Sequence, residues 1–228
     1  MKQLQIFVFN PTHFWPYPRL LVDTLVSGLV SCMVVIMTLR IFGVGDDMLY
    51  GENGVLETLQ VIALCAASIL AILAAVRLRP AGRFVATTTA LLCLVFFVRE
   101  IPSCRPDILL ACVPREAHRI VPTVCGLLLL LHAAIMYRAS PAALLRMMHP
   151  AFSWPLVFVA GLLVTGEVFE ELEFESLEEI SELVAYIGLL LSSAWMLKTS
   201  FQARVWQAIC ENAGALLQRL QTSLDRRR

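Results

Sequence analysis

Signatures of motif-borne chemistry are missing from this chain. There is no Gly-x-Ser-x-Gly nucleophile turn, no Walker loop and no Rossmann glycine pattern. Those absences remove the common sequence-readable routes to acyl transfer and nucleotide binding. Zinc-type HExxH and carboxylate-bundle ExxH spacings are also lacking, as is the CxxC spacing of dithiol redox sites. No internal repeat of the kind that marks inverted-repeat transporters is visible, so the chain reads as one domain. Met1 to Arg19 lacks the basic, apolar and small-residue order of a cleavable signal. Basic residues cluster only where membrane topology accounts for them, which argues against nucleic acid as a partner.

What is abundant is apolar surface. At 58% hydrophobic residues and a mean hydropathy of +0.75, the 228-residue chain is far too apolar for an ordinary soluble domain. Apolar runs at 20–39, 55–76, 84–101, 120–137, 152–171 and 178–197 predict an all-α bundle of about six transmembrane helices. Residues 1–19 form an N-terminal interfacial segment, in which Phe14, Trp15 and Tyr17 among prolines suit an aromatic anchor. Residues 20–198 are the membrane domain. Residues 199–228 form an amphipathic helix, with Phe201, Val205, Ile209, Ala213, Leu216, Leu220 and Leu224 on one face and a basic end. That tail suits the surface of an anionic leaflet or a protein partner.

The net charge of zero conceals a polarity. With six spans, the side holding both termini carries 13 of the 18 basic residues against three acids. The opposite side carries 15 of the 18 acids against Arg40, Arg99, Arg105, Arg115 and Arg119. The positive-inside rule therefore predicts cytoplasmic termini and an outward acidic side, periplasmic in a bacterial inner membrane. The basic connections at 77–83 and 138–150 read as short loops broken by Pro80, Gly82, Pro141 and Pro150. In the first acidic loop, Asn53 suits a cap for the second helix.

The stretch from Gly166 to Gly188 sets eight glutamates between two apolar segments of about fifteen residues, each short of the roughly 20 that a span needs. One or two acidic turns must therefore approach bilayer depth, where ionisable groups are costly and mark function by default. Glu173 and Glu175 suit a solvated turn. Ser176 to Glu179 fits a capping box, with Ser176 as cap and Glu179 reaching back. Glu167, Glu170 and Glu171 share one helix face at i, i+3, i+4, and Glu178 and Glu182 share another. Glu170 and Glu171 sit at a helix C-terminus, where the dipole repels anions. Pairing with Arg99 or Arg119, proton sharing or cation binding would account for them. The nearby arginines are outnumbered by Glu57, Glu100, Glu170, Glu171, Glu178 and Glu182.

A carboxylate-rich site suits protons or a hard divalent metal cation. In that reading Glu170 and Glu171 are primary ligands and Glu57, Glu100 and Glu178 complete the shell. His118 adds a nitrogen donor, and Arg99 and Arg119 pair or adjust charge. A structural layer of ion pairs and shared protons is the competing explanation.

Elsewhere, Asp23 sits four residues after Arg19 and suits a local ion pair. His132 suits a neutral histidine hydrogen-bonded across helices. Ser27, Ser31 and Thr87 to Thr89 are small polar residues that permit close helix packing. Cys104 and Cys112 share the second acidic loop, an oxidising place in this topology, where a disulfide between them would pin the loop beside Arg99 and Glu100. The leading functional expectation is an inner-membrane protein binding a cation or exchanging protons at an outward carboxylate site, for transport or sensing. A membrane-embedded metal-dependent enzyme acting on a lipid is a second class. A non-catalytic subunit, with a membrane-protein partner or a second copy of itself, is the third. Thin polarity through the spans (Asp23, His132 and scattered hydroxyls) counts against a conduction path.

Overall fold

The computed structural model describes residues 19–45, 48–49, 54–78, 80–104, 112–148 and 150–225, the stretch after Phe201 as backbone alone. Its elements are α1 (Arg19–Ile41), α2 (Val55–Arg77), α3 (Pro80–Glu100), α4 (Ala117–Ala139), α5 (Pro141–Met148), α6 (Pro150–Glu171) and α7 (Glu175–Asp225). Six of these are long and apolar enough to cross a membrane. The protein is an all-α polytopic membrane bundle whose helices contact the lipid bilayer. Its ends are called acidic, for the α6–α7 turn, and basic, for the α2–α3 turn.

Prolines start helices here instead of breaking them. Pro80, Pro141 and Pro150 each occupy the first position of a helix, where the absent N–H is no loss and the fixed φ is already helical. The connection read as a loop at 138–150 therefore contains the short helix α5. Helix α2 starts after Gly54, which holds the cap position without a side-chain hydrogen bond. Asn53, like the aromatic anchor at 14–17, lies outside the described residues.

Helix α7 is the axis of the bundle, packing on α2, α6 and α1. Buried residues make up 61% of its spanning window, against 11% for α4, which packs chiefly on α3 and α5. Lipid is as apolar as leucine, so helices associate through close van der Waals fit and polar contacts. The fit comes from small residues. Helix α2 offers Ala63, Ala67, Ala71 and Ala74, all buried. At Gly28 of α1 a Cβ would lie 2.9 Å from Val184 Cγ2, and at Gly188 it would lie 3.0 Å from Thr24 Cγ2. Thus α1 and α7 meet backbone to side chain at two places one turn apart. Thr88 and Thr89 satisfy their hydroxyls within their own helix, donating to the carbonyls of Phe84 and Val85, and Thr89 is buried.

The tail is not a separate helix. Helix α7 runs 51 residues without interruption, roughly 76 Å at 1.5 Å per residue. A tail lying flat on the leaflet would require that helix to bend.

Two helix ends at the acidic side close alike. After α1, Gly43 N–H donates to Arg40 O and Val44 N–H to Leu39 O, with Gly43 at φ 77°. After α6, Glu173 N–H donates to Glu170 O and Phe174 N–H to Phe169 O, with Glu173 at φ 60°. Both are Schellman closures, which want glycine at the left-handed position. Glu173 occupies it with a side chain, at a steric cost that glycine escapes.

Candidate functional site

Three helices deliver charge to one place near the acidic end. Arg99 stands one residue before the end of α3, so its guanidinium reaches across toward α6 and α7. Its Nη2 donates to Glu182 Oε1 at 2.6 Å, Nη1 lies 3.1 Å from Glu167 Oε1, and Nε lies 3.8 Å from Glu100 Oε1. The Glu182 and Glu100 side chains are 4% and 8% exposed, whereas Arg99 is 40% exposed and Glu167 more so. One half-open cation thus anchors two buried carboxylates and one open one.

Tyr186 fixes the deeper side. One turn after Glu182 on α7, it is fully buried, and its hydroxyl donates to Glu100 Oε1 at 2.7 Å. Its ring packs on Phe96 at 5.8 Å between centroids. Hydrogen bonds to an ionised partner are shorter and stronger than neutral ones, so Tyr186 and Arg99 together hold Glu100 in place.

A second unit lies on the α2 side of α7. Gln60 is fully buried, and its Nε2 donates to Glu179 Oε2 at 2.7 Å and to the Glu179 carbonyl at 3.2 Å. Its Oε1 is buried with no hydrogen-bond partner. This corrects the capping-box assignment. Helix α7 begins at Glu175, ahead of Ser176, and the Glu179 carboxylate turns inward to Gln60 instead of back to a cap. Glu57, one turn before Gln60 on α2, is half-buried.

Gly166 lets α6 and α7 close at this level. A Cβ there would lie 3.0 Å from Ser181 Oγ and 3.3 Å from Glu182 Cγ. Ser181 Oγ donates to the Glu178 carbonyl at 2.8 Å, which keeps its polar atom satisfied at the contact.

The residues expected to form the site divide accordingly. Arg99 and Glu100 meet, together with Glu167 and Glu182. Glu170 and Glu171 are exposed at the end of α6, and Glu178 is half-buried. Arg119 is exposed, and His118 opens α4 with a buried Nε2 that has no hydrogen-bond partner. Among the described residues, no group of three or more His, Cys, Asp or Glu side chains is arranged to hold a metal ion. Sequence reasoning missed Gln60 and Tyr186. Their signal was available: each is a polar side chain inside an apolar run, at helical spacing from a glutamate.

The loop after Glu100 is pinned as the two cysteines suggested. Cys104 and Cys112 form a disulfide with a Cα–Cα distance of 4.8 Å. Beside it, Cys104 N–H donates to Val113 O and Val113 N–H to Pro102 O. His132 meets Phe84 edge to face at 5.1 Å, so its contact across helices is with a ring and not the expected hydrogen-bond partner. Asp23 is exposed, and the Arg19 side chain expected beside it lies outside the described residues.

In comparisons with protein-family models, curated proteins and solved structures, nothing matches this chain.

Proposed function

We propose that this membrane protein takes up a cation at the carboxylate cluster of its acidic end, that the cation is a proton, and that the role is sensing. The observation that carries the reading is the imbalance around Arg99. A single guanidinium contacts Glu100, Glu167 and Glu182, while Glu179 is held nearby by a neutral amide. Uncompensated charge at low dielectric is expensive, so the buried carboxylates gain by sharing a proton or admitting a counter-cation. Oxygen donors suit hard cations. A proton needs no cage, and it tolerates a guanidinium in the middle of the site where a divalent ion is repelled.

Below Tyr186 comes an apolar layer, with Ala63, Leu64, Ala67, Cys93 and Leu189 packed together, and beyond it the buried polar groups are isolated hydroxyls such as Thr89 and Ser193. That break supports sensing over conduction. The charge polarity of the sequence supports cytoplasmic termini and an outward-facing site, periplasmic in a bacterial inner membrane.

Infrared spectra of purified protein in nanodiscs test the chemistry. A protonated-carboxyl band near neutral pH, diminished by Glu179→Gln, whose carboxyl faces a neutral amide and not Arg99, is the expected result. A wild type without such a band, but with stoichiometric metal lost in Glu170→Gln/Glu171→Gln, would replace the proton by a metal at the hairpin tip. A thiol reporter at Glu173 should label from outside the cell; labelling only from the cytoplasm reverses the topology.

A further inference from the structure

The opposite end holds a groove that the charged cluster does not use. It runs between α2 and α3 on their outward side, with a volume of about 550 Å³. That is within the range of roughly 300–1,000 Å³ typical of small-ligand sites. Ile72, Val76, Leu91 and Leu94 give it apolar walls, Ser68 and Thr87 interrupt them, and Arg83 closes the basic end. Ile72, Val76 and Leu94 are 52%, 73% and 41% exposed, so the walls await a covering apolar partner.

We infer that this groove binds a phospholipid with an anionic headgroup, its acyl chain between α2 and α3 and its phosphate on Arg83. Three observations converge. The first is length. From Arg83 to Leu94 the groove follows α3 for 11 residues, about 16 Å at 1.5 Å per residue. A single leaflet of a hydrocarbon core about 30 Å thick is about 15 Å deep.

The second is the fixing of Arg83. Its Nε donates at 3.1 Å to the Ala75 carbonyl in the last turn of α2. That bond spends one donor, holds the guanidinium at the groove's mouth and leaves both Nη groups for a phosphate. Such a planar fork matches phosphate oxygens bidentately. The third is charge. Two copies of this chain meeting across the groove in one membrane would bring both Arg83 side chains to the same depth, and like charges there repel. A phosphate is attracted.

Native mass spectrometry of the full chain, released from micelles doped with phosphatidylglycerol or phosphatidylcholine, tests the inference. Wild type should retain phosphatidylglycerol in preference. Arg83→Gln should lower that preference roughly tenfold, the worth of one charge-assisted contact, and Arg83→Lys should keep part of it. Thr87→Phe, which fills the groove from a half-buried position and leaves Arg83 in place, should abolish retention of both lipids. Inorganic phosphate at matched concentration should leave the lipid adduct intact. Equal retention by wild type, Arg83→Gln and Thr87→Phe overturns the inference. So does displacement by inorganic phosphate, which would make this a headgroup site alone. Disulfide crosslinking between copies through Ile72→Cys, with no lipid retained, would assign the groove to a second copy.

Discussion

Within the α6–α7 hairpin, the same residue type meets two fates. The glutamates of α6 stay open: Glu167, Glu170 and Glu171 are all exposed. Those of α7 turn inward as the helix proceeds: Glu175 is exposed, Glu178 and Glu179 are half-buried, Glu179 on Gln60, and Glu182 is buried on Arg99. Helix ends point the same way, because an N-terminus favours anions and a C-terminus does not, but the dipole acts on charge and does not by itself bury a side chain. What decides is the position of each helix in the bundle. Helix α7 is surrounded by α1, α2 and α6, so most of its faces point at protein. The last turn of α6 is largely exposed.

The contrast predicts unequal losses. Arg99→Met should have the largest effect, since it strands Glu182 and Glu100 without their cation. Removing one partner of a buried pair costs about 3–5 kcal/mol, and the partial exposure of Arg99 places the loss nearer the lower figure. Denaturation in mild detergent would measure it. The double substitution Arg99→Met/Glu182→Met should recover part of the loss, and its failure to do so would mean that Arg99 matters through packing alone.

Tyr186→Phe comes next. It removes the hydroxyl that donates to Glu100 while keeping the ring on Phe96. A loss of about 1–2 kcal/mol is expected, because hydrogen bonds to charged groups exceed neutral ones but membrane proteins discount them. Gly28→Ala should cost a similar amount, about 1–2 kcal/mol of overpacking against Val184. A neutral result there would show that α1 slides freely along α7.

Much of the fold was legible because hydropathy reports length. Six spans were expected, and the described helices begin and end within a few residues of them. The Cys104–Cys112 bond was legible as well, since two cysteines in one short loop have few other partners. The inward faces were not legible. Hydropathy does not tell which helix will be central, so Glu179 read as a cap and Glu170 as a primary ligand of the site. Gln60 and Tyr186 were hidden differently: a single polar residue barely lowers the average of an apolar run. That the tail is helical was legible from its apolar spacing; that it continues the last span directly was not, because hydropathy changes there while no helix breaker intervenes.

The turn joining the two helices offers a smaller effect of opposite sign. Glu173 holds a left-handed conformation that Gly43 holds at the matching end of α1. Glu173→Gly should therefore stabilise the hairpin by about 0.5–1 kcal/mol, the penalty of a side chain at that angle. A destabilised variant would mean that the Glu173 side chain itself makes a contact the turn needs.

The smallest expected effect separates the two helices most cleanly. Glu170→Gln/Glu171→Gln should change stability by no more than about 0.5 kcal/mol, as for surface substitutions away from any cap, pair or cavity. Both side chains are exposed, and Gln preserves their size and helix preference. Removing two like charges from a C-terminal turn also relieves repulsion from the helix dipole, so the sign of any change should be stabilising. The same exchange at Glu182 removes the anion that faces Arg99, and there the sign should be destabilising. If the α6 pair instead proved costly, those glutamates would have to hold something that neutralises them, and the tip of the hairpin, not the Arg99 cluster, would be the place where this protein meets its cation.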